Sequence, residues 1–392
     1  MRMIGNSDRD PGRADWMELF FDLIFVALVG QLAHGLHEHP GFAAIGVFLA
    51  LFAAVWWSWG NLTFVVNVSR RLTRRGLSLV MLLAMVAVGA MAVAAPEAIG
   101  ERAWLFAAGN AALRIVLLVA WIRLSWADGV GSRIRISVYN GVTAVLWLVS
   151  IVLPEPAGYV LWAVAIALEV VLLITTASSW ASGAFETLNV DHLSERFGLL
   201  VIIVLGESVL SIVAAVSATW TAAGAVVGLL GLLIAAGLAW TFFLYGVDAM
   251  HQGLERLLAR GDIRGVRDTV AFLPFLLLAG VTALSGALSA AIAHPGEPLP
   301  LALSLCLGGG IALFYFANTV ISRRYGDEWR VVLRWGVPAV VLSLLLVPLG
   351  AVLPAAVTVA CAVLVLAYVV AAAERASRRR ARAASPSPSP SP

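Results

Sequence analysis

Phe197-Gly-Leu-Leu-Val-Ile-Ile-Val-Leu-Gly-Glu-Ser-Val-Leu-Ser-Ile-Val-Ala-Ala-Val-Ser217 runs for 21 residues with a single charge, Glu207. About 20 apolar residues carry a helix across the roughly 30 Å hydrocarbon of a bilayer, so this stretch is long enough to span one. Its Val, Leu and Ile residues come in continuous runs, whereas a barrel strand alternates apolar and polar side chains. Only helices and closed barrels satisfy every backbone group in lipid. The segment reads as a transmembrane helix.

Similar stretches extend outward on both sides. The full set lies near 18–36, 42–66, 76–95, 103–124, 135–153, 158–180, 197–217, 222–247, 269–293, 299–321, 331–348 and 354–373. Of 392 residues, 61% are apolar and 12% charged, against about 25% charged in soluble domains. The expected fold is all-α, a polytopic helical membrane protein with about 12 transmembrane helices. All 26 basic residues other than histidine are arginines, and they cluster between apolar segments. That pattern orients helices in a membrane and excludes a phosphate-tracking nucleic-acid face. With the N-terminus in the cytoplasm, every arginine except Arg102 and Arg114 falls on the cytoplasmic side. The bias supports twelve crossings, with both termini on the inside of a bacterial cytoplasmic membrane.

The halves resemble one another. Glu18-Leu-Phe20 and Glu195-Arg-Phe197 open their first helices, and Gly30-Gln31 matches Gly206-Glu207 one residue out of register. Six helices per half place both the same way up, so two parallel six-helix repeats are expected, with a site at the midplane between them. The organisation read from this is a cytoplasmic segment 1–16, a first half 17–180, a linker 181–196, a second half 197–374 and a disordered Arg/Ser-Pro tail 375–392.

A charge near the bilayer centre costs roughly 2.5–3.5 kcal/mol on insertion scales, so each one needs a reason. Arg114, Glu169 and Glu207 lie near the middle of their segments. Glu207 is the expected partner of Arg114, because Ser208 and Ser211 extend a polar stripe beside it. Asn110 stands one turn from Arg114, and Glu169 is left to carry a proton. In the first helix Glu18 and Asp22 form an i,i+4 pair near the cytoplasmic end, where they also suit capping against the Arg-rich loops. Gln31 and His34 share a face at the other end. These eight residues form the expected solute or proton site; an inert ion-pair network pinning the helices is the alternative. His34, His37, Glu38 and His39 have the makings of metal ligands, but their loop is short and wet, so no metal and no other cofactor is expected. Trp56-Trp57-Ser58-Trp59-Gly60-Asn61 reads as aromatic packing, or as an aromatic wall for a ligand. Cys306 and Cys361 lie in apolar segments and offer no disulfide framework.

At Trp16-Met-Glu-Leu-Phe-Phe-Asp-Leu-Ile-Phe-Val-Ala-Leu-Val-Gly-Gln-Leu-Ala-His34 the chain resembles the bacterial low-temperature-requirement protein A family. Trp56–Trp59 with Asn61 and Thr63, Met81–Met85 leading to Ala95-Pro96, and His192–Gly198 through Leu205–Ser208 agree with it. The resemblance implies that Glu18, Asp22, Gln31, His34, Arg114, Glu195, Arg196 and Glu207 take the family's recurring polar positions. Ser69-Arg70-Arg71-Leu72 departs from it, since members often carry an acidic stretch there. The family name records a growth phenotype and no reaction. The function expected from the residues is therefore a secondary transporter of a small solute, with protons as the candidate coupling ion and lipid as its surroundings. A sensor or assembly protein and an intramembrane enzyme are the rivals.

The orientation is testable in a variant lacking Cys306 and Cys361. Single cysteines at Ser69 and Ser322 should react with an impermeant maleimide only from the cytoplasm, and one at Glu297 only from outside. External labelling at 69 or 322 would reverse the topology.

Overall fold

Helix ends follow local chemistry. The side chains of Thr73, Asn189 and Asp262 each accept a hydrogen bond from a first-turn backbone N–H, that of Gly76, His192 and Gly265 respectively. Gly261 (φ 65°) and Gly326 (φ 101°) take the left-handed backbone just past helices, where any side chain would be strained. The computed structural model describes residues 15–67, 73–124, 137–184, 188–245 and 247–384, and among these no strand occurs. The expected positions 1–14, 68–72, 125–136 and 385–392, including Arg70, Arg71, Arg133 and Arg135, lie outside the described residues.

Among the described residues eleven helices are long and apolar enough to cross a membrane. They are α1 (Trp16–Glu38), α2 (Phe42–Asn67), α3 (Arg74–Ala94), α4 (Ala103–Leu124), α6 (Ala157–Ala184), α7 (Val190–Thr219), α8 (Ala222–Tyr245), α10 (Ile263–Ala293), α11 (Leu301–Arg324), α12 (Trp329–Gly350) and α13 (Ala355–Ala384). Between them lie α5 (Thr143–Ser150), led in by a π-helical stretch over Ser137–Val142, and the amphipathic α9 (Val247–Ala259). The segment expected at 135–153 is thus described as a short apolar helix, with its N-terminal flank outside the described residues. The turn expected between Pro348 and Pro354 is present after Gly350, although Pro348 itself stays inside α12. The chain from 375 to 384, expected to be disordered, continues α13 as helix. Ala and Arg are good helix formers, and the first proline of the tail comes only at Pro386.

Helix neighbours set the architecture. In the first half α1 packs on α2 and α3, α3 on α4, α4 on α5, α5 on α6, and α6 returns to α2. In the second half α7 packs on α8 and α10, α10 on α11, α11 on α12, α12 on α13, and α13 returns to α8. The halves meet where α1 packs on α7 and α10. Small residues allow the closest approaches: a Cβ on Gly280 of α10 would stand 2.6 Å from the carbonyl of Gly310 in α11, and one on Gly286 2.7 Å from that of Ala33 in α1. At the centre lies α2, which touches α1, α4, α6, α7 and α10 and buries Trp56, Trp57, Ser58 and Trp59.

Candidate functional site

The polar interior is built on α2. Its successive side chains point to different helices, because 3.6 residues per turn spread neighbours around the axis. Trp56 Nε1 donates to the carbonyl of Ala271 (2.7 Å) in the π-helical stretch Asp268–Phe272 of α10. Such a stretch leaves carbonyls free for partners outside their own helix. Trp57 stacks on Phe275 and meets Phe272 edge-on. Asn61 accepts from Trp121 Nε1 (2.6 Å) and donates to Asn140 Oδ1 (2.9 Å), beside the other π-helical stretch. The aromatic run therefore packs and also wires α2 to its surroundings.

Ser58 and Trp59, adjacent in sequence, reach two separate charged clusters. In the first, Arg114 of α4 donates from Nη1 to Ser58 Oγ and from Nη2 to Glu169 Oε2 of α6 (2.6 Å), while its Nε lies 2.5 Å from Oε1. Nη2 also approaches the carbonyl of Ala54 (3.3 Å). Both charged side chains are wholly buried. One guanidinium faces one carboxylate in a fork, so the charges balance. The expected pairing of Arg114 with Glu207 does not form. Mid-depth position is shared by all three residues, and depth does not say which helices are neighbours: α4 lies against α2, α3 and α5, while α7 lies across the seam against α1 and α10. Asn110 stays on its own helix, donating to the carbonyl of Phe106 (3.3 Å), and its buried Oδ1 has no partner.

The second cluster joins α1, α2 and α7. Arg196 of α7 donates from Nη1 to Glu18 Oε2 (3.2 Å) and from Nη2 to Asp22 Oδ1 (3.3 Å), with its guanidinium 5.5 Å above the Trp59 ring. Trp59 Nε1 donates to the same Asp22 oxygen (2.7 Å). His192, one turn before Arg196, places Nε2 2.9 Å from Glu18 Oε2. Its protonation follows from Asn67. That amide is oriented by the backbone of Asn189, accepting at Oδ1 from N (2.9 Å) and donating from Nδ2 to O (3.0 Å). The same Nδ2 faces His192 Nδ1 at 3.2 Å, so Nδ1 accepts and the ring proton sits on Nε2, pointing at Glu18. The histidine is neutral in this arrangement. Among the described residues two carboxylates then share one guanidinium, and neither Asp22 Oδ2 nor Arg196 Nε, both buried, has a hydrogen-bond partner.

Of the eight expected residues, the structure brings Arg114 to Glu169 and Glu18 to Asp22, and leaves the rest apart. Glu207 is half-buried against Gly30 of α1, accepting only from Ser211 Oγ at 3.5 Å. Gln31 is exposed, and His34, also exposed, pairs with Glu38 (3.2 Å). Among the described residues no group of three or more His, Cys, Asp or Glu is arranged to hold a metal ion. Sequence reasoning assigned Arg196 to a cytoplasmic loop and left His192 and Asn67 out of the site. Two signals pointed to Arg196: the family resemblance puts it among the recurring polar positions, and this cytoplasmic stretch carries a lone arginine where the others carry three or more.

The balanced pair gives a direct test. Removing one member of a buried pair strands the other and typically costs about 3–5 kcal/mol. Arg114→Leu and Glu169→Leu should each lose stability on that scale in detergent thermal unfolding, and the double replacement should recover most of it. Additive losses would show that the two side chains do not act as a pair.

A family model described as bacterial low temperature requirement A protein (LtrA) matches residues 13–371. A Rhizobium meliloti (strain 1021) protein described as "Uncharacterized protein RA0937" is 30% identical over 216 residues, 52% of this chain and 51% of that protein. The match thus spans about half of the relative's length. No solved structure matches the chain. The family match covers nearly all of the helices described above, and with them both buried charge clusters: the chain belongs to the bacterial low temperature requirement A family.

Proposed function

We propose that the chain is a proton-coupled secondary transporter of a small solute, and that the coupling proton binds the Glu18–Asp22 pair. The observation that carries the reading is the charge imbalance in that cluster. With His192 neutral, two carboxylates against one guanidinium leave one negative charge in a medium that stabilises charge poorly. One proton removes it. Asp22 Oδ1 is held by Trp59 and Arg196, so the unpartnered Oδ2 is the oxygen free to take the proton.

Loading changes what holds the halves together. Protonated Asp22 attracts Arg196 less, and that contact ties α1 to α7 across the seam. Binding of the proton is thereby linked to the packing of one half on the other, which is what alternating access requires. The neighbour order 1–2, 1–3, 3–4, 4–5, 5–6 and 2–6 recurs among the six second-half helices, which supports two parallel repeats. In this reading the balanced Arg114–Glu169 pair is structural and keeps α4 and α6 fixed on α2.

Liposomes holding the purified protein, given a mixture of small polar metabolites with and without an imposed pH gradient, test the reading by mass spectrometry of their contents. At least one solute should accumulate when the gradient is present. Asp22→Asn, which keeps the shape and loses the titrating oxygen, should abolish that gradient-driven excess while reconstituting normally. No accumulation under either gradient, or equal accumulation by Asp22→Asn, would contradict it.

A further inference from the structure

We infer that Glu207 is a second proton-carrying carboxyl, separate from the Glu18–Asp22–Arg196 cluster and open to lipid along the seam between α1 and α7. Its role in transport rests on the proposed function; its protonation and lipid access rest on its own surroundings.

Glu207 lies deep in the apolar stretch of α7, where Arg196 is three turns away along the helix. Its carboxyl rests on the backbone of Gly30. A Cβ built there would meet Glu207 Cδ at 2.7 Å and collide with Oε1, so the missing side chain is the niche in which the acid lies. The one hydrogen bond it receives comes from Ser211 Oγ at 3.5 Å. Among the described residues the two buried arginines are committed elsewhere, Arg114 to Glu169 and Ser58, Arg196 to Glu18 and Asp22. On α1, Gln31 and His34 are both exposed, and His34 pairs with Glu38.

Its own helix sets the access. Ile202, Gly206, Leu210 and Val213 form an exposed stripe along α7, with Leu210 65% exposed, and Glu207 borders that stripe. A carboxylate at this place would have hydrocarbon on one side, a glycine on the other and no cation. The neutral acid needs only the Ser211 hydroxyl. Gly30 is eight residues beyond Asp22 on α1, about 12 Å along the axis, so the two proton sites sit at different depths on one helix.

An apolar carbodiimide, N,N′-dicyclohexylcarbodiimide, reads this state directly because it partitions into lipid and reacts with protonated carboxyls. The carboxyl proton moves to one carbodiimide nitrogen as the carboxyl oxygen bonds the central carbon. Acyl transfer to nitrogen then gives a stable N-acylurea, the sum of both reactants with nothing lost. Full-length protein in liposomes at neutral pH, labelled, digested and analysed by mass spectrometry, should carry one adduct on the peptide containing Glu207. Glu207→Gln should lose that adduct, and a water-soluble carbodiimide should leave Glu207 unmodified. An unmodified Glu207 in the native chain, labelling only after denaturation, or equal labelling by the water-soluble reagent would each overturn the inference. Labelling of Glu207 together with failure of gradient-driven uptake would retain this site and reject the transporter reading.

Discussion

A charge buried in a membrane protein has no water to fall back on, so each must find its counter-charge on a neighbouring helix. Here that constraint is met around α2. Ser58 and Trp59 point in different directions from it, one to Arg114 and the other to Asp22 beneath Arg196. The first side closes a balanced pair within one half of the molecule. The second closes an unbalanced group across the seam between halves. Moving α2 would disturb both, and its burial against five other helices shows how firmly it is held.

The contrast between the clusters organises the functional reading. Arg114 and Glu169 match one charge with one in a fork, with both side chains fully buried. Among the described residues the Glu18, Asp22, Arg196 and His192 group sets two carboxylates against one guanidinium. Asn67 fixes the histidine tautomer, so the imidazole does not make up the missing positive charge. In the proposed function a proton does so, at the contact that joins α1 to α7. Glu207 lies further along that same seam against Gly30, with no ion pair among the described residues.

Much of the fold was legible in the sequence because bilayer thickness dictates helix length and arginines mark the helix ends. Eleven of the twelve expected segments overlap long helices, and the short apolar α5 falls within the twelfth at 135–153. The start of α7 was harder to read. Residues 190–196 are mostly polar, yet they are helical, and His192 and Arg196 are buried because Glu18 and Asp22 of α1 receive them. The identity of the chemistry-bearing residues was also legible, since a charge in a hydrophobic run stands out. Their pairing was not. Arg114, Glu169 and Glu207 share a depth, and only tertiary neighbours decide that Glu169 receives the guanidinium. The roles of Trp56, Trp59 and Asn61 likewise depended on partners 37 to 215 residues away in sequence.

The central claim is that the α1–α7 cluster holds one exchangeable proton on Asp22. Infrared difference spectra of the reconstituted protein between acid and alkaline pH measure that proton through the carbonyl stretch of a carboxylic acid, a band that an ionised carboxylate lacks. The account predicts an acid-carbonyl band in the native protein that disappears on raising the pH, shifts in heavy water and is missing from Asp22→Asn. Native and Asp22→Asn spectra with identical carboxylic-acid bands would mean that the cluster carries no such proton.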